Sequence, residues 1–113
     1  MINTYSYNGE DFKAVFEYEG WKIGILRSSD RFSKEGVWER HICTAEAFVL
    51  LSGSAVLFAK QNKAIEKQPM KSGVIYEVPK GVWHHIIVSS DATVLVIENS
   101  NTSKENTEKL YET

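Results

Sequence analysis

The chain has 113 residues, 42% of them hydrophobic and 25% charged, which is the composition of a globular protein of one domain. Thirteen basic and fifteen acidic residues give a formal net charge of −2 without a basic cluster, so neither nucleic acid nor a membrane is expected as a partner. The single cysteine, Cys43, excludes an internal disulfide, and the first residues lack a signal-peptide pattern. We therefore expect a cytoplasmic protein.

From residue 21 onward the sequence is a series of short apolar segments separated by Gly, Pro, Asn and Ser. The segments are rich in Val, Ile, Phe, Trp and Tyr, which favour strands. They predict strands at residues 21–28, 37–43, 46–52, 54–60, 74–78, 82–89 and 92–98. Many short strands divided by turn residues predict an all-β sandwich or barrel, formed as one domain over residues 1–113.

Several of these strands are apolar on both faces, as in residues 47–51, 86–88 and 94–97. An antiparallel sheet with one solvated face alternates between apolar and polar residues instead. Something must therefore cover the outer face, and a homodimer is the expected arrangement. The tail, residues 99–113, is polar, and the spacing of Thr102 and Glu105 is that of a capping box. A short helix there either packs on the barrel or frays.

The alternation of side chains along a strand decides which polar residues share a face. Glu39 and His41 share one face of their strand, and His84 faces opposite to Trp83 and His85. His41 and Glu46 are five residues apart and converge only if the chain turns near residues 43–45. With that turn, Glu39, His41, Glu46 and His84 point into one barrel.

A buried cluster of carboxylates and imidazoles must be paired, hydrogen-bonded or bound to a metal. Oxygen and imidazole ligands together suit Mn²⁺, Fe²⁺, Co²⁺, Ni²⁺ or Zn²⁺. By the same alternation, Phe48, Leu50 and Ile86 are the expected apolar lining of the cavity. We expect Trp38, Trp83 and His85 on the outer face, where they are available to a partner subunit, and we assign no role to Cys43.

Two stretches resemble the two motifs of the cupin superfamily. The first reads Glu39-x-His41, four residues, Glu46, six residues, Gly53. The second reads Gly73, five residues, Pro79-x-Gly81, two residues, His84, three residues, Val88. The resemblance implies a jelly-roll β-barrel in which Glu39, His41, Glu46 and His84 bind a divalent metal.

Two positions depart from the family pattern. Val88 replaces an asparagine that is not a ligand, and Glu39 replaces the first metal-binding histidine. Two carboxylates cancel the charge of a divalent ion, so such a centre would be a weaker Lewis acid than a three-histidine site. The alternative is a pocket that holds no metal.

The resemblance implies a small-molecule ligand but leaves two functions open, because cupins include both enzymes and sensing domains. In the first, the protein is a metal-dependent isomerase, lyase or oxygenase of a small polar metabolite. There Glu39 completes the ligand shell or acts as a catalytic base. In the second, it is a non-catalytic module that binds or senses a small ligand.

Overall fold

The computed structural model describes residues 1–34 and 36–111, and these fold into ten strands and two single 3-10 turns. The 3-10 turns are Asp30–Phe32 and Lys104–Asn106. The strands are β1 (Phe12–Tyr18), β2 (Trp21–Arg27), β3 (Val37–His41), β4 (Glu46–Ser52), β5 (Ala55–Gln61), β6 (Ala64–Pro69), β7 (Ile75–Val78), β8 (Trp83–Val88), β9 (Thr93–Asn99) and β10 (Thr107–Tyr111). The predicted all-β class is confirmed. Within the described residues, no helix has the length and apolar character needed to cross a membrane.

The strands form two antiparallel five-stranded sheets that face each other. The first sheet has the order β1-β2-β9-β4-β7, and the second has the order β10-β3-β8-β5-β6. The seven predicted strands lie within one or two residues of β2, β3, β4, β5, β7, β8 and β9. Strands β1, β6 and β10 were not predicted, and each of them lies at the edge of a sheet.

The hydrophobic core fills the space between the two sheets. Phe48, Leu50, Val94 and Val96 face it from the first sheet, and Ile86 faces it from the second. At one end of this layer the apolar side chains give way to His41, Glu46, His84 and Glu98, which are the buried polar and charged residues among those that the structure describes. The fold therefore places one buried polar cluster between its sheets.

The polar tail packs onto the barrel. Residues 104–106 make the 3-10 turn, closed by a capping box between Ser103 and Asn106 rather than between Thr102 and Glu105. Strand β10 then pairs with β3, with Thr107 opposite His41 and Lys109 opposite Glu39. Of the two outcomes considered for the tail, packing on the barrel is the one observed.

Candidate metal centre

His41 and Glu46 come together because the chain changes sheets between them. Strand β3 ends at His41 in the second sheet, and β4 begins at Glu46 in the first. The four residues between these strands are irregular, as the predicted turn at residues 43–45 requires. Cys43 lies in this connection and is exposed.

Three ligand atoms converge on one point. The Nε2 atoms of His41 and His84 each lie 2.9 Å from Oε1 of Glu46. All three residues are buried, and their ligand atoms lie within 4.8 Å of one another. Glu46 Oε1 nevertheless has no hydrogen-bond partner of acceptable geometry among the described residues.

The second nitrogen of each imidazole has a hydrogen-bond partner of its own. His84 Nδ1 lies 3.1 Å from the carbonyl oxygen of Val82, which can only accept, so Nδ1 carries the proton. The Thr107 hydroxyl donates to the carbonyl of Ser103, and it therefore accepts from His41 Nδ1 at 2.9 Å. In the neutral rings both Nε2 atoms then present lone pairs toward the carboxylate oxygen.

With neutral rings, three lone pairs at this separation repel one another unless a proton or a metal cation lies among them. A divalent transition metal fits this donor set, which combines two neutral imidazoles with one carboxylate. Hydrogen bonds from the second nitrogens to Val82 and Thr107 are the usual support of metal-binding histidines. The residues present therefore fit a bound metal.

Glu98 is a functional candidate that the sequence did not reveal. It lies opposite Glu46 in the pairing of β4 with β9 and is buried. Its nearest cation is Lys22, whose Nζ lies 3.9 Å from Oε1 of Glu98. Burial, together with the neighbouring Glu46 carboxylate, raises the pKa of Glu98 to about 8, so its neutral form donates to Glu46.

The charges of the other groups follow from the same contacts. Burial alone would raise the pKa of Glu46, but the close imidazoles of His41 and His84 and the Glu98 carboxyl outweigh it and lower this pKa below its usual range. Burial would lower the pKa of His84, and the Glu46 carboxylate outweighs it, so the pKa of His84 is raised. The metal-free cluster thus attracts positive charge.

Glu39 lies at the edge of this group rather than within it. It faces the cavity directly opposite His84 in the pairing of β3 with β8, and its side chain is 30% exposed. Its Oε1 lies 4.0 Å from Arg31 Nη1 and 3.9 Å from Lys109 Nζ. The structure thus brings His41, Glu46 and His84 together and places Glu39 between them and two cations.

The polar group opens into a cavity of about 680 Å³. Phe48 and Ile86 are among its lining residues, whereas Leu50 lies in the hydrophobic core, only 2% exposed. The other lining residues are Phe12, Lys22, Leu26, Arg31, Phe32, Val37, Glu39, His41, Glu46, His84, His85, Val96, Glu98, Thr102, Ser103, Lys104, Thr107, Lys109 and Tyr111. A cavity of this volume suits a small molecule.

His85 belongs mainly to the other side of the second sheet. Its ring packs edge-on against Trp38 and stacks on Phe58, with ring centroids 4.5 Å apart in both pairs. Trp83 lies on the same side, under the guanidinium of Arg40 at 4.5 Å. The expected division between His84 and His85 is therefore present, and Trp38 is covered within the chain itself, only 6% exposed.

No protein-family model matches the chain, and no curated protein matches it. Solved structures do match. KdgF from a Halomonas species is 13% identical with a TM-score of 0.60, over 86% of this chain and 87% of that one. A cupin-2 domain protein from Shewanella frigidimarina is 19% identical with a TM-score of 0.58, over 81% and 82%.

Oxalate decarboxylase from Bacillus subtilis is 16% identical with a TM-score of 0.64. The match covers 81% of this chain but only 24% of the decarboxylase, so the chain spans about a quarter of that protein. These similarities define the class of protein: the chain has the cupin fold, a two-sheet jelly roll. The resemblance inferred from the two motifs is confirmed at the level of the fold.

Proposed function

We propose that the protein binds a divalent transition-metal ion through His41 Nε2, Glu46 Oε1 and His84 Nε2, as part of an enzyme acting on a small polar metabolite. The observation that carries this proposal is the convergence of two imidazole nitrogens and one carboxylate oxygen, all buried, with each Nε2 atom 2.9 Å from Glu46 Oε1. Mn²⁺, Fe²⁺, Co²⁺, Ni²⁺ and Zn²⁺ all suit the donor set. Isomerase, lyase and oxygenase reactions are the classes to test.

At such a site, different residues of the chain would orient the metal ligands and act on the substrate. When bound, a divalent ion polarises a substrate oxygen. Glu98 holds the Glu46 carboxylate, and Thr107 and Val82 hold the two imidazoles. Glu39 faces the cavity beside His84 and is the candidate base, because its carboxylate can reach a substrate that contacts the ligand group.

The second candidate function is a metal-free module that binds a small ligand. It is favoured by Glu39, which stands where cupins usually have a histidine and lies beside Arg31 and Lys109 instead of joining the three ligands. Three protein ligands without a fourth hold an ion less tightly. In this alternative the cavity and its cations bind the ligand, and His41 and His84 contribute hydrogen bonds.

Metal content separates the two functions. We would measure it by plasma mass spectrometry on purified, untagged protein, before and after chelation and reloading. We expect about one ion per chain in the wild type and none in His84→Ala. His85→Gln is the matched control, because the neighbouring histidine packs on Trp38 and Phe58, and it should bind metal like the wild type. A wild type that takes up no metal would leave the binding module as the function.

We also propose that two copies of the chain associate through the outer face of the first sheet. Apolar side chains lie in register there: Ile97 pairs with Ile23 on one side and with Ala47 on the other. Leu95 occupies the same position in the next row, between Ile25 and Val49. Ile25 is buried and the other side chains of these rows are half-buried, and a contiguous apolar face that stays partly open to water is typical of an interface.

A further inference from the structure

We propose that Arg31 and Lys109 form an anion-binding site at the mouth of the cavity, and that the molecule taken up there carries a carboxylate group. This inference rests on the proposed function for the place where the ligand reacts. Its own support is a second set of residues, 31, 39 and 109 with Asp11, which contribute no ligand to the metal centre.

Arg31 is held in place before any ligand arrives. Its Nε donates to Oδ1 of Asp11 at 2.9 Å, and its guanidinium carbon lies 4.5 Å from the centroid of the Phe32 ring. One edge of the guanidinium is therefore occupied by Asp11 and one face by Phe32, while the side chain lines the cavity. Fixing an arginine in this way lowers the entropy lost when it binds a ligand.

Asp11, which holds Arg31, has a strained backbone. Its φ of 70° lies in the left-handed region, which residues other than glycine adopt at a cost. Two further hydrogen bonds hold Asp11 in this conformation. The backbone N–H of Arg27 donates to the Asp11 carbonyl at 2.7 Å, and Ser29 Oγ donates to Asp11 Oδ1 at 2.8 Å. Strain of this kind is often found where a functional side chain must be positioned, and here that side chain is Arg31.

Lys109 adds a second positive charge from the opposite side of Glu39. It lies directly across from Glu39 in the pairing of β10 with β3, and its Nζ is 3.9 Å from Glu39 Oε1. The Arg31 Nη1 distance to the same oxygen is 4.0 Å, so both cations stand beyond hydrogen-bond distance from the carboxylate between them. Asp11 and Glu39 balance these two cations, but the cavity lining as a whole favours an anion, because its cationic residues outnumber its acidic ones: Lys22, Arg31, Lys104 and Lys109 against Glu39, Glu46 and Glu98.

The geometry specifies the chemistry of the ligand. A guanidinium presents parallel N–H groups that match the two oxygens of a carboxylate. Glu39 on β3 pairs directly with His84 on the neighbouring strand β8, so the two cations beside Glu39 lie about one strand away from His84. The apolar side chains of Phe48 and Ile86 line the same cavity. The cavity therefore fits a small organic acid, with its carboxylate on Arg31 and Lys109 and its polar end at the ligand group.

The experiment measures binding of malonate, succinate and benzoate by calorimetry, with succinamide as the uncharged probe and inorganic phosphate as the competing anion. We expect at least one carboxylate to bind and succinamide to fail. Arg31→Gln should weaken binding at least about tenfold, the usual effect of losing a charged hydrogen bond, and Arg31→Lys should weaken it less. Lys109→Gln should also weaken binding.

Arg40→Gln is the matched control. It removes the same charge from the same part of the chain, but Arg40 pairs with Glu108 and stacks on Trp83 on the other side of β3. It should change the affinity less than twofold. Melting curves of all variants establish that they are folded, and Arg31→Lys provides the comparison if Arg31→Gln is not.

Three outcomes would overturn the proposal: no carboxylate binds to the wild type, Arg31→Gln or Arg31→Lys binds as tightly as the wild type, or phosphate binds more tightly than every carboxylate. Failure of the metal proposal gives a different result. In that case the wild type takes up no metal, while carboxylate binding persists and still depends on Arg31.

Discussion

Glu98 and Glu46 lie directly opposite each other on neighbouring strands of the first sheet, and both carboxyl groups are buried. Two buried carboxyl groups can be this close only when one of them is protonated. Glu98 is the protonated partner, because Glu46 is surrounded by two imidazoles and Glu98 is not. Glu98 therefore acts on the candidate metal centre through Glu46.

This relationship predicts that Glu98 needs to donate a hydrogen bond but not to carry a charge. In Glu98→Gln the amide N–H group replaces the carboxylic acid as donor, and the metal affinity should stay within about threefold of the wild type. Glu98→Met has a similar volume and no donor, and the affinity should fall about 10- to 100-fold, as for other groups that orient metal ligands. Calorimetric titration with Zn²⁺ measures both. Equal losses in the two variants would indicate instead that Glu98 binds the metal itself.

Asp11 gives a prediction for the pH dependence of stability. Burial would raise the pKa of Asp11, but hydrogen bonds from Ser29 and the backbone of Phe12 and the charge of Arg31 outweigh it and lower the pKa below 3.8. A lowered pKa in the folded state stabilises the protein above the unfolded value, and this contribution is lost as the pH falls through the folded value.

Asp11→Asn should therefore lower the free energy of unfolding at pH 7, by under about 1 kcal/mol because the side chain is partly exposed. Asparagine tolerates the left-handed backbone of this position, so the substitution tests the charge rather than the strain. Urea denaturation from pH 7 down to pH 3 should show the difference from the wild type shrinking as the medium becomes acidic. A difference that grows toward low pH would contradict the assignment.

Gly53 ends the first motif in the turn between β4 and β5, and the structure shows why a side chain is excluded. Its φ is 75°, and an added Cβ would lie 2.6 Å from Cα and 2.8 Å from N of Ala92. Because both contacts are to the backbone of Ala92, they can be relieved only if the chain itself shifts there. Gly53→Ala should lower the free energy of unfolding by about 2 kcal/mol or more.

Gly20→Ala is the control for Gly53→Ala, since a Cβ at residue 20 meets no atom of the described chain within 4 Å. Its effect should stay below about 1 kcal/mol. Chemical denaturation of both variants measures the difference. Equal effects would mean that the Ala92 contact does not constrain the turn.

The proposed dimer predicts the effect of a charge on the outer face of the first sheet. Ile97→Glu places a carboxylate at the centre of the apolar rows and should weaken association at least about a hundredfold. Sedimentation velocity over a range of concentrations detects the shift to monomer. Ile65→Glu, on exposed β6 of the second sheet, is the matched control and should leave the dimer intact. A monomeric wild type would refute the interface.

The sequence predicted the central strands and the edge strand β7, and it missed the other three edge strands, β1, β6 and β10. Central strands such as β8 and β9 contain continuous apolar runs, at residues 86–88 and 94–97, which identify them directly. Strand β6 contains Glu66 and Lys67, and β10 contains Glu108 and Lys109. Charged residues are typical of edge strands, since they prevent pairing with other chains, and they remove the apolar pattern on which the prediction depended.

Of the candidate site, the sequence predicted only the residues whose positions follow from the spacing within the two motifs. The motifs identified His41, Glu46 and His84, and the turn that joins the first two was a requirement of the hypothesis. Glu98 ends an apolar strand, where a glutamate is usually solvated, and only the register of β4 with β9 shows that it faces Glu46. Such pairings depend on the whole fold, and a single sequence contains no local signal for them.

The bond between His41 and Thr107 joins residues 66 positions apart, and Thr107 is itself anchored to Ser103. During synthesis the chain can build both sheets up to β9 before the residue that orients His41 has emerged. Closing so long a loop also costs entropy that only the finished barrel recovers. The hydrogen bond that orients His41 toward Glu46 therefore forms late in folding, so the complete metal centre depends on the last strand of the barrel.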